Sequence, residues 1–93
     1  MIDIDKEYEM ESAQVTYPMF SYRDVKANSF SPPFVSVNSS VAKRDFDYRL
    51  HNDKSFGFSP SDYELFKIGY FCVDTGQVTN IMPEFIINGG ELF

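Results

Sequence analysis

The chain has 93 residues, 43% of them hydrophobic, and ten Phe and six Tyr among them are enough to build one small core but not two domains. The formal net charge of -6 argues against a tight duplex-DNA binder, because such proteins neutralise phosphates with Lys and Arg. With one cysteine, Cys72, and one histidine, His51, no internal disulfide and no zinc-ligand cluster can form. We therefore expect a reducing compartment and no metal or other cofactor.

The negative charge is concentrated at the two ends of the chain. Residues 1–14 hold five acidic side chains against one lysine, and residues 84–93 add two further acids. The stretch between them is neutral, with seven basic and seven acidic residues, which leaves room for a local basic stripe. We expect 1–14 to be an acidic flexible extension, 15–82 a single domain, and 83–93 a tail that docks along the domain or reaches a partner.

Neither export nor membrane insertion is expected from this sequence. The first residues, MIDIDKEYEMESAQ, lack both a basic start and an apolar segment. No apolar stretch approaches the length that spans a bilayer.

Two extended segments are predicted first. VTYPMFSYRDV, residues 15–25, alternates and is rich in aromatic and β-branched residues, which predicts a strand; Pro18 places it at an edge or near a strand start. KANS then supplies a turn. FSPPFVSV, residues 30–37, predicts a second extended segment with an irregular edge, because its two consecutive prolines have no N–H to donate.

One helix is predicted. The polar run NSS, residues 38–40, offers helix-capping side chains, and VAKRDFDYRLHND, residues 41–53, follows it. Ala42, Phe46 and Leu50 recur at helical spacing on one face, so we expect that face to pack on the core.

The second half of the chain predicts a hairpin. After a loop at 53–62 with room for a short helical turn, YELFKIGYFCV, residues 63–73, is apolar at nearly every position from 65 onward. This pattern predicts a central strand that is covered on both faces or packed at an interface. DTG then predicts a hairpin turn, with Gly76 at positive φ, and QVTNI, residues 77–81, the next strand.

The predicted fold is therefore α+β. We expect a small sheet of about four strands, in the order β-β-α-β-β, with the single helix packed on one face of the sheet. If the strands on either side of the helix pair in parallel, their crossover should be right-handed. Edge strands that carry prolines would also permit a homodimer.

Catalysis has little support in the residues, and we expect no enzymatic activity. Cys72 lies in an apolar strand, where a thiol is usually buried and inert. His51 falls on the polar helix face, where solvation is the simpler explanation. Asp45 and Asp47 are two residues apart on a helix and point in different directions.

Binding of single-stranded nucleic acid needs exposed rings beside basic side chains that follow the phosphates. Most rings of this chain are expected in the core, because it has no Trp. Rings that neighbour basic residues are the better candidates, although such spacing is also ordinary on helix surfaces. The predicted nucleic-acid-binding residues are Arg23, Lys26, Lys43 and Arg44 for phosphates, with Tyr22 and Tyr48 as stacking planes.

Taken together, YRDVKANSFSPPFVSVNSSVAKRDF and the later SPSDYELFKIGYFCVDTGQV resemble the small nonstructural protein of the gokushovirus-like Microviridae, the tailless single-stranded-DNA phages. The resemblance covers roughly residues 17–80 in the same order. Its matching positions are Arg23, Asp24, Lys26, Phe30, Pro33, Phe34, Asn38, Ala42, Arg44, Phe46, Asp62, Tyr63, Glu64, Leu65, Gly69, Phe71, Thr75 and Gly76. The acidic stretch before Val15 departs from the family's usual pattern.

This resemblance implies a bacterial virus protein made in the host cytoplasm and absent from the finished capsid. The family is described as DNA-binding, or as assisting the change from duplex replication to single-strand synthesis and packaging. A non-enzymatic accessory protein that binds single-stranded viral DNA weakly is the first hypothesis.

The alternative is a protein-protein interaction module. Its target would be a phage replication or procapsid protein, or a host replication factor. An acidic extension can engage basic surfaces of such proteins, or compete with DNA for the domain's own basic patch. Deleting residues 1–14 separates the two ideas, because DNA affinity rises only if the extension inhibits binding.

Overall fold

The computed structural model describes residues 15–56 and 59–93, so the predicted acidic extension, residues 1–14, lies outside the described residues. The described chain forms an antiparallel sheet with one α-helix, which confirms the predicted α+β class. Its elements are β1 (Thr16–Asp24), β2 (Ser29–Phe30), β3 (Phe34–Val35), α1 (Ser39–Asn52), β4 (Tyr63–Cys72) and β5 (Val78–Asn88).

The sheet has the strand order β2-β1-β4-β5, and β3 also pairs with β1. All pairs are antiparallel, including β1 with β4 on either side of the helix, so the condition for a right-handed crossover does not arise. Pro18 is the third residue of β1, near the strand start as predicted. The two prolines at 32 and 33 interrupt the edge between β2 and β3, which confirms the irregular edge.

The helix packs on the sheet with the predicted face. Ala42 and Phe46 have no exposed surface, and Leu50 is half-buried against the same cluster. The buried core consists of Phe20, Ala42, Phe46, Phe56 and Leu65. One helix covers one face of the sheet, and the opposite face, which we call the open face, has no second layer within the described residues.

Asn38 caps the helix, because its side-chain oxygen accepts the Val41 N–H at 2.8 Å. We expect Asn38→Ala to lower the free energy of unfolding by about 1 kcal/mol, since an amide at the helix start loses its partner. Urea denaturation followed by circular dichroism measures this. Ser40→Ala, two residues later at an exposed position, is the matched control and should cost little. Equal losses in both variants would contradict the capping role.

The hairpin between β4 and β5 turns at the predicted place, and Gly76 has φ 74°. β5 is longer than predicted. It runs through the expected boundary between 82 and 83, and Phe85 and Ile87 pair with Phe66 and Leu65 of β4.

A short 3-10 turn, Gly89–Leu92, follows β5 and contacts α1. Gly89 is buried there, and a Cβ at this position would overlap the Pro60 carbonyl oxygen. Leu92 packs against the core. Residues 83–93, which were predicted to be a tail, thus divide into the end of β5 and a turn that lies against the domain.

Candidate nucleic-acid interface

Tyr22 and Arg23 are neighbours on β1 and therefore point to opposite faces of the sheet. The Tyr22 ring lies on the helix side, with its centroid 5.1 Å from that of Phe46 and 4.9 Å from that of Phe34. Arg23 consequently lies on the open face, where it pairs across the strands with Phe30 and Glu64. Tyr22 is half-buried against the core and therefore lies on the opposite side of the sheet from Arg23.

The basic side chains near the end of β1 are both paired with carboxylates. Arg23 Nη1 lies 3.2 Å from Glu64 Oε1, and its Nη2 donates to Asn28 Oδ1 at 2.9 Å. Lys26 Nζ lies 3.6 Å from Asp62 Oδ2, although its side chain is 78% exposed. The positive charges of Arg23 and Lys26 are therefore largely offset by these neighbouring carboxylates.

The other predicted nucleic-acid-binding residues lie on the outer surface of α1. Lys43 and Arg44 are exposed, and Tyr48 is 69% exposed one helical turn after Arg44. Neither base has an ion-pair partner among residues 15–56 and 59–93. Since α1 covers the face opposite to Arg23, Arg23 lies on the other side of the sheet from Lys43 and Arg44 and does not form one surface with them.

Sequence reasoning missed a row of phenylalanine rings that crosses the open face. Phe30 of β2, Phe66 of β4 and Phe85 of β5 form this row, which we call the phenylalanine row. Ring centroids are 5.4 Å apart for Phe30 and Phe66 and 5.8 Å apart for Phe66 and Phe85, in edge-to-face geometry. Phe30 is 48% and Phe85 49% exposed, so half of each ring remains in contact with solvent.

A serine on β1 explains how rings from β2 and β4 can meet across an intervening strand. Ser21 lies directly opposite Phe66 and is 1% exposed. Its hydroxyl donates to the Ser31 carbonyl oxygen at 2.8 Å, which satisfies the buried polar group. A larger residue at this position would separate the Phe30 and Phe66 rings.

The same face continues toward the hairpin turn. Tyr17 lies opposite Phe71, and Phe71 lies opposite Val78. Because alternate β1 residues share a face, Tyr17 lies on the side of Ser21 and the phenylalanine row. Monomeric proteins seldom leave large contiguous apolar patches uncovered, and such patches mark interaction surfaces.

The residues first considered for acid-base or thiol chemistry have structural partners. His51 Nδ1 lies 2.8 Å from the Asp47 carbonyl oxygen and 3.1 Å from its carboxylate, and the ring stacks on Phe93 at 3.9 Å. Cys72 is buried, and a hydrogen bond with the Thr75 side chain lowers the pKa of its thiol. Among residues 15–56 and 59–93 no three His, Cys, Asp or Glu side chains are grouped as metal ligands.

No helix in the described part of the chain has the length and apolar character needed to cross a membrane.

The family model described as Phage ORF5 protein matches residues 17–92, which include the helix and all of the strands described above except the first residue of β1. No curated protein and no solved structure matches the chain. The matched region includes the phenylalanine row and all six of the predicted nucleic-acid-binding residues. With more than half of its length matched, the chain belongs to the Phage ORF5 protein family and is a phage protein.

Proposed function

We propose that this phage protein is a non-enzymatic accessory protein that binds single-stranded DNA weakly through its open face. The observation that carries the proposal is the phenylalanine row, whose two end rings are half-exposed. Bases of single-stranded DNA stack on such rings without regard to sequence, because every base has a π-face. A duplex keeps its bases stacked on one another, so the same surface discriminates against it.

The charges on this face support weak rather than tight binding. Arg23 lies directly opposite Phe30 across the strands, and Lys26 lies in the turn that leads from β1 to β2. Each would exchange a carboxylate partner for a phosphate. Surface ion pairs contribute only about 0 to 1 kcal/mol, so breaking them costs little of the free energy of DNA binding. Two phosphate contacts predict a slope of about -1.4 for log K against log salt concentration.

Fluorescence anisotropy with a labelled oligothymidylate at a series of salt concentrations tests the proposal. We expect saturable binding at low salt with a slope between about -1 and -2. A complete lack of binding at low salt would overturn the proposal. A slope of about -4 or steeper would also overturn it, because such a slope requires more phosphate contacts than Arg23 and Lys26 provide.

The double variant Lys43→Ala/Arg44→Ala separates the open face from the helix surface. We expect it to change oligothymidylate affinity less than about twofold, since both side chains lie on the other side of the sheet. The matched double variant Arg23→Ala/Lys26→Ala should weaken binding and flatten the salt dependence. The opposite ranking would assign DNA binding to α1.

Within a phage life cycle, weak single-strand binding suits assistance to viral DNA replication, or to the change to single-strand synthesis and packaging. The resemblance to the gokushovirus-like Microviridae supports this role in the host cytoplasm. A homodimer that buries the open face is the main competing use of the phenylalanine row. Light scattering on the protein with and without oligothymidylate tests for it, because a dimer formed through this face would dissociate when oligothymidylate binds.

A further inference from the structure

A cleft of about 600 Å³ opens on the helix side of the sheet, between α1 and the segment that carries β2 and β3. Its lining combines aromatic side chains, including Phe30 of the phenylalanine row, with the carboxylates of three aspartates and one guanidinium. Neither the phenylalanine row nor the outer surface of α1 explains this feature.

Four rings form one continuous wall of the cleft. The Tyr22 ring centroid lies 4.9 Å from that of Phe34 and 5.2 Å from that of Phe56. Phe56 in turn lies 5.0 Å from Tyr63, edge to face. Tyr22, Phe34 and Tyr63 are half-buried, so parts of their rings face the opening. The negative π-face of such rings attracts cations.

The rim of the cleft has an excess of negative charge. Three carboxylates, those of Asp24, Asp45 and Asp53, lie among its lining residues against one guanidinium, Arg49. Arg49 already pairs with Asp53 at 3.5 Å. Asp45 is exposed and has no ion-pair partner within the described residues, and Asp24 accepts only the Ala27 N–H of its own turn, at 3.0 Å. Such a rim repels phosphate and favours a cation.

The tyrosines respond to these carboxylates. Burial raises the pKa of Tyr22, and the nearby Asp45 and Asp53 raise it further, against a lowering by Arg49. Burial and the Asp24 and Asp62 carboxylates likewise raise the pKa of Tyr63. Both phenols thus remain neutral at physiological pH and keep an acceptor oxygen for a cationic N–H donor.

We propose that this cleft binds an arginine or lysine side chain from a basic segment of a partner protein. The aliphatic stem would lie along the ring wall, and the charged head would reach Asp45 and Asp24 at the rim. Charge complementarity selects this occupant over nucleic acid. The ring wall and the carboxylates lie on the helix side of the sheet, and Phe30 is the one residue that the cleft shares with the phenylalanine row.

An NMR titration of the full chain, labelled with ¹⁵N, tests the site with the capped peptide acetyl-Gly-Ser-Arg-Ser-Gly-amide. We expect saturable shifts of backbone amides around the cleft, including Tyr22, Arg49 and Tyr63. The same peptide with neutral citrulline in place of arginine should give no saturable shifts. Equal binding of both peptides, shifts confined to other surfaces, or no shift at all would overturn the proposal.

Asp45→Asn is the decisive variant, because its side chain is exposed and the change should leave the fold intact. We expect it to lower the affinity for the arginine peptide by about 2- to 5-fold. We expect Asp45→Lys to abolish saturable binding. Asp47→Asn removes the same charge from the same helix outside the cleft lining and serves as the matched control. If Asp47→Asn lowered the affinity for the peptide as much as Asp45→Asn, the overall negative charge of the protein would explain the binding, and a specific site in the cleft would be excluded.

Discussion

Phe85→Ala is expected to weaken oligothymidylate binding by about 5- to 150-fold, because one stacked base contributes about 1–3 kcal/mol. Phe85 is 49% exposed and meets the Phe66 ring in edge-to-face geometry at 5.8 Å, so the change should cost little stability. Fluorescence anisotropy at low salt measures the affinity. A thermal unfolding curve of the same sample confirms that the variant is folded.

Tyr48→Ala is the matched control for this loss. It also removes an exposed ring, 69% accessible, but on the outer surface of α1. We expect its affinity to stay within about twofold of the parent, because stacking at this position is not required. Phe85→Leu keeps apolar surface without a ring and should retain little of the affinity. An equal effect of Phe85→Ala and Tyr48→Ala would contradict the open-face proposal.

Phe46→Ala should destabilise the protein strongly, by about 3–5 kcal/mol. Phe46 has no exposed surface, and its ring lies 5.1 Å from Tyr22 and 6.1 Å from Phe56. Its removal leaves a cavity where α1 meets the sheet. Because small domains are stable by only about 5–15 kcal/mol, this loss would remove a large part of the total stability.

Urea denaturation followed by circular dichroism measures this loss. Tyr48→Ala, two residues later on the same helix, is expected to change the free energy of unfolding by less than about 0.5 kcal/mol. The pair therefore tests the orientation of α1 rather than its helix propensity. Similar losses in the two variants would mean that α1 does not bury the Ala42 and Phe46 face.

The helix and the turns could be predicted because their signals are local. Asn38 offers a cap at the position where the apolar spacing of Ala42 and Phe46 begins, and Gly76 marks a turn that needs positive φ. Such features depend on a few consecutive residues. They do not require knowledge of which strands are neighbours.

The open face could not be predicted in the same way, because it depends on strand order. Phe30 and Phe66 are far apart in sequence and meet only because β1 lies between β2 and β4 with Ser21 at the crossing point. One signal was present. A β4 strand that is apolar on both faces, in a chain with a single helix, must leave one apolar face without a helical cover.

The length of β5 was underestimated for a different reason. Residues 82–93 show no clear period in the sequence, and Pro83 lies within β5, which is an edge of the described sheet, where a missing N–H is tolerated. Ile68 lies opposite the three residues from 81 to 83, because the register moves from the pair Gly69 and Asn80 to the pair Lys67 and Glu84. This bulge absorbs the proline and lets the strand continue.

Residues that are neighbours in the sequence do not share one surface in the predicted nucleic-acid-binding site. Tyr22 and Arg23 seemed a natural ring and base pair, yet strand alternation sends one to the core and the other to the open face. Lys43 and Arg44 are exposed, as predicted, but they lie on the outer surface of α1. Proximity in sequence therefore overstated proximity in the fold.

Mapping the DNA contact by NMR tests the central claim most directly. Unlabelled oligothymidylate is added to the ¹⁵N-labelled full chain at low salt, and the shifted backbone amides are assigned. The account predicts saturable shifts on the open face, at Ser21, Phe30, Phe66 and Phe85, with α1 unchanged. Shifts confined to α1 around Lys43, Arg44 and Tyr48, or no shifts, would contradict it.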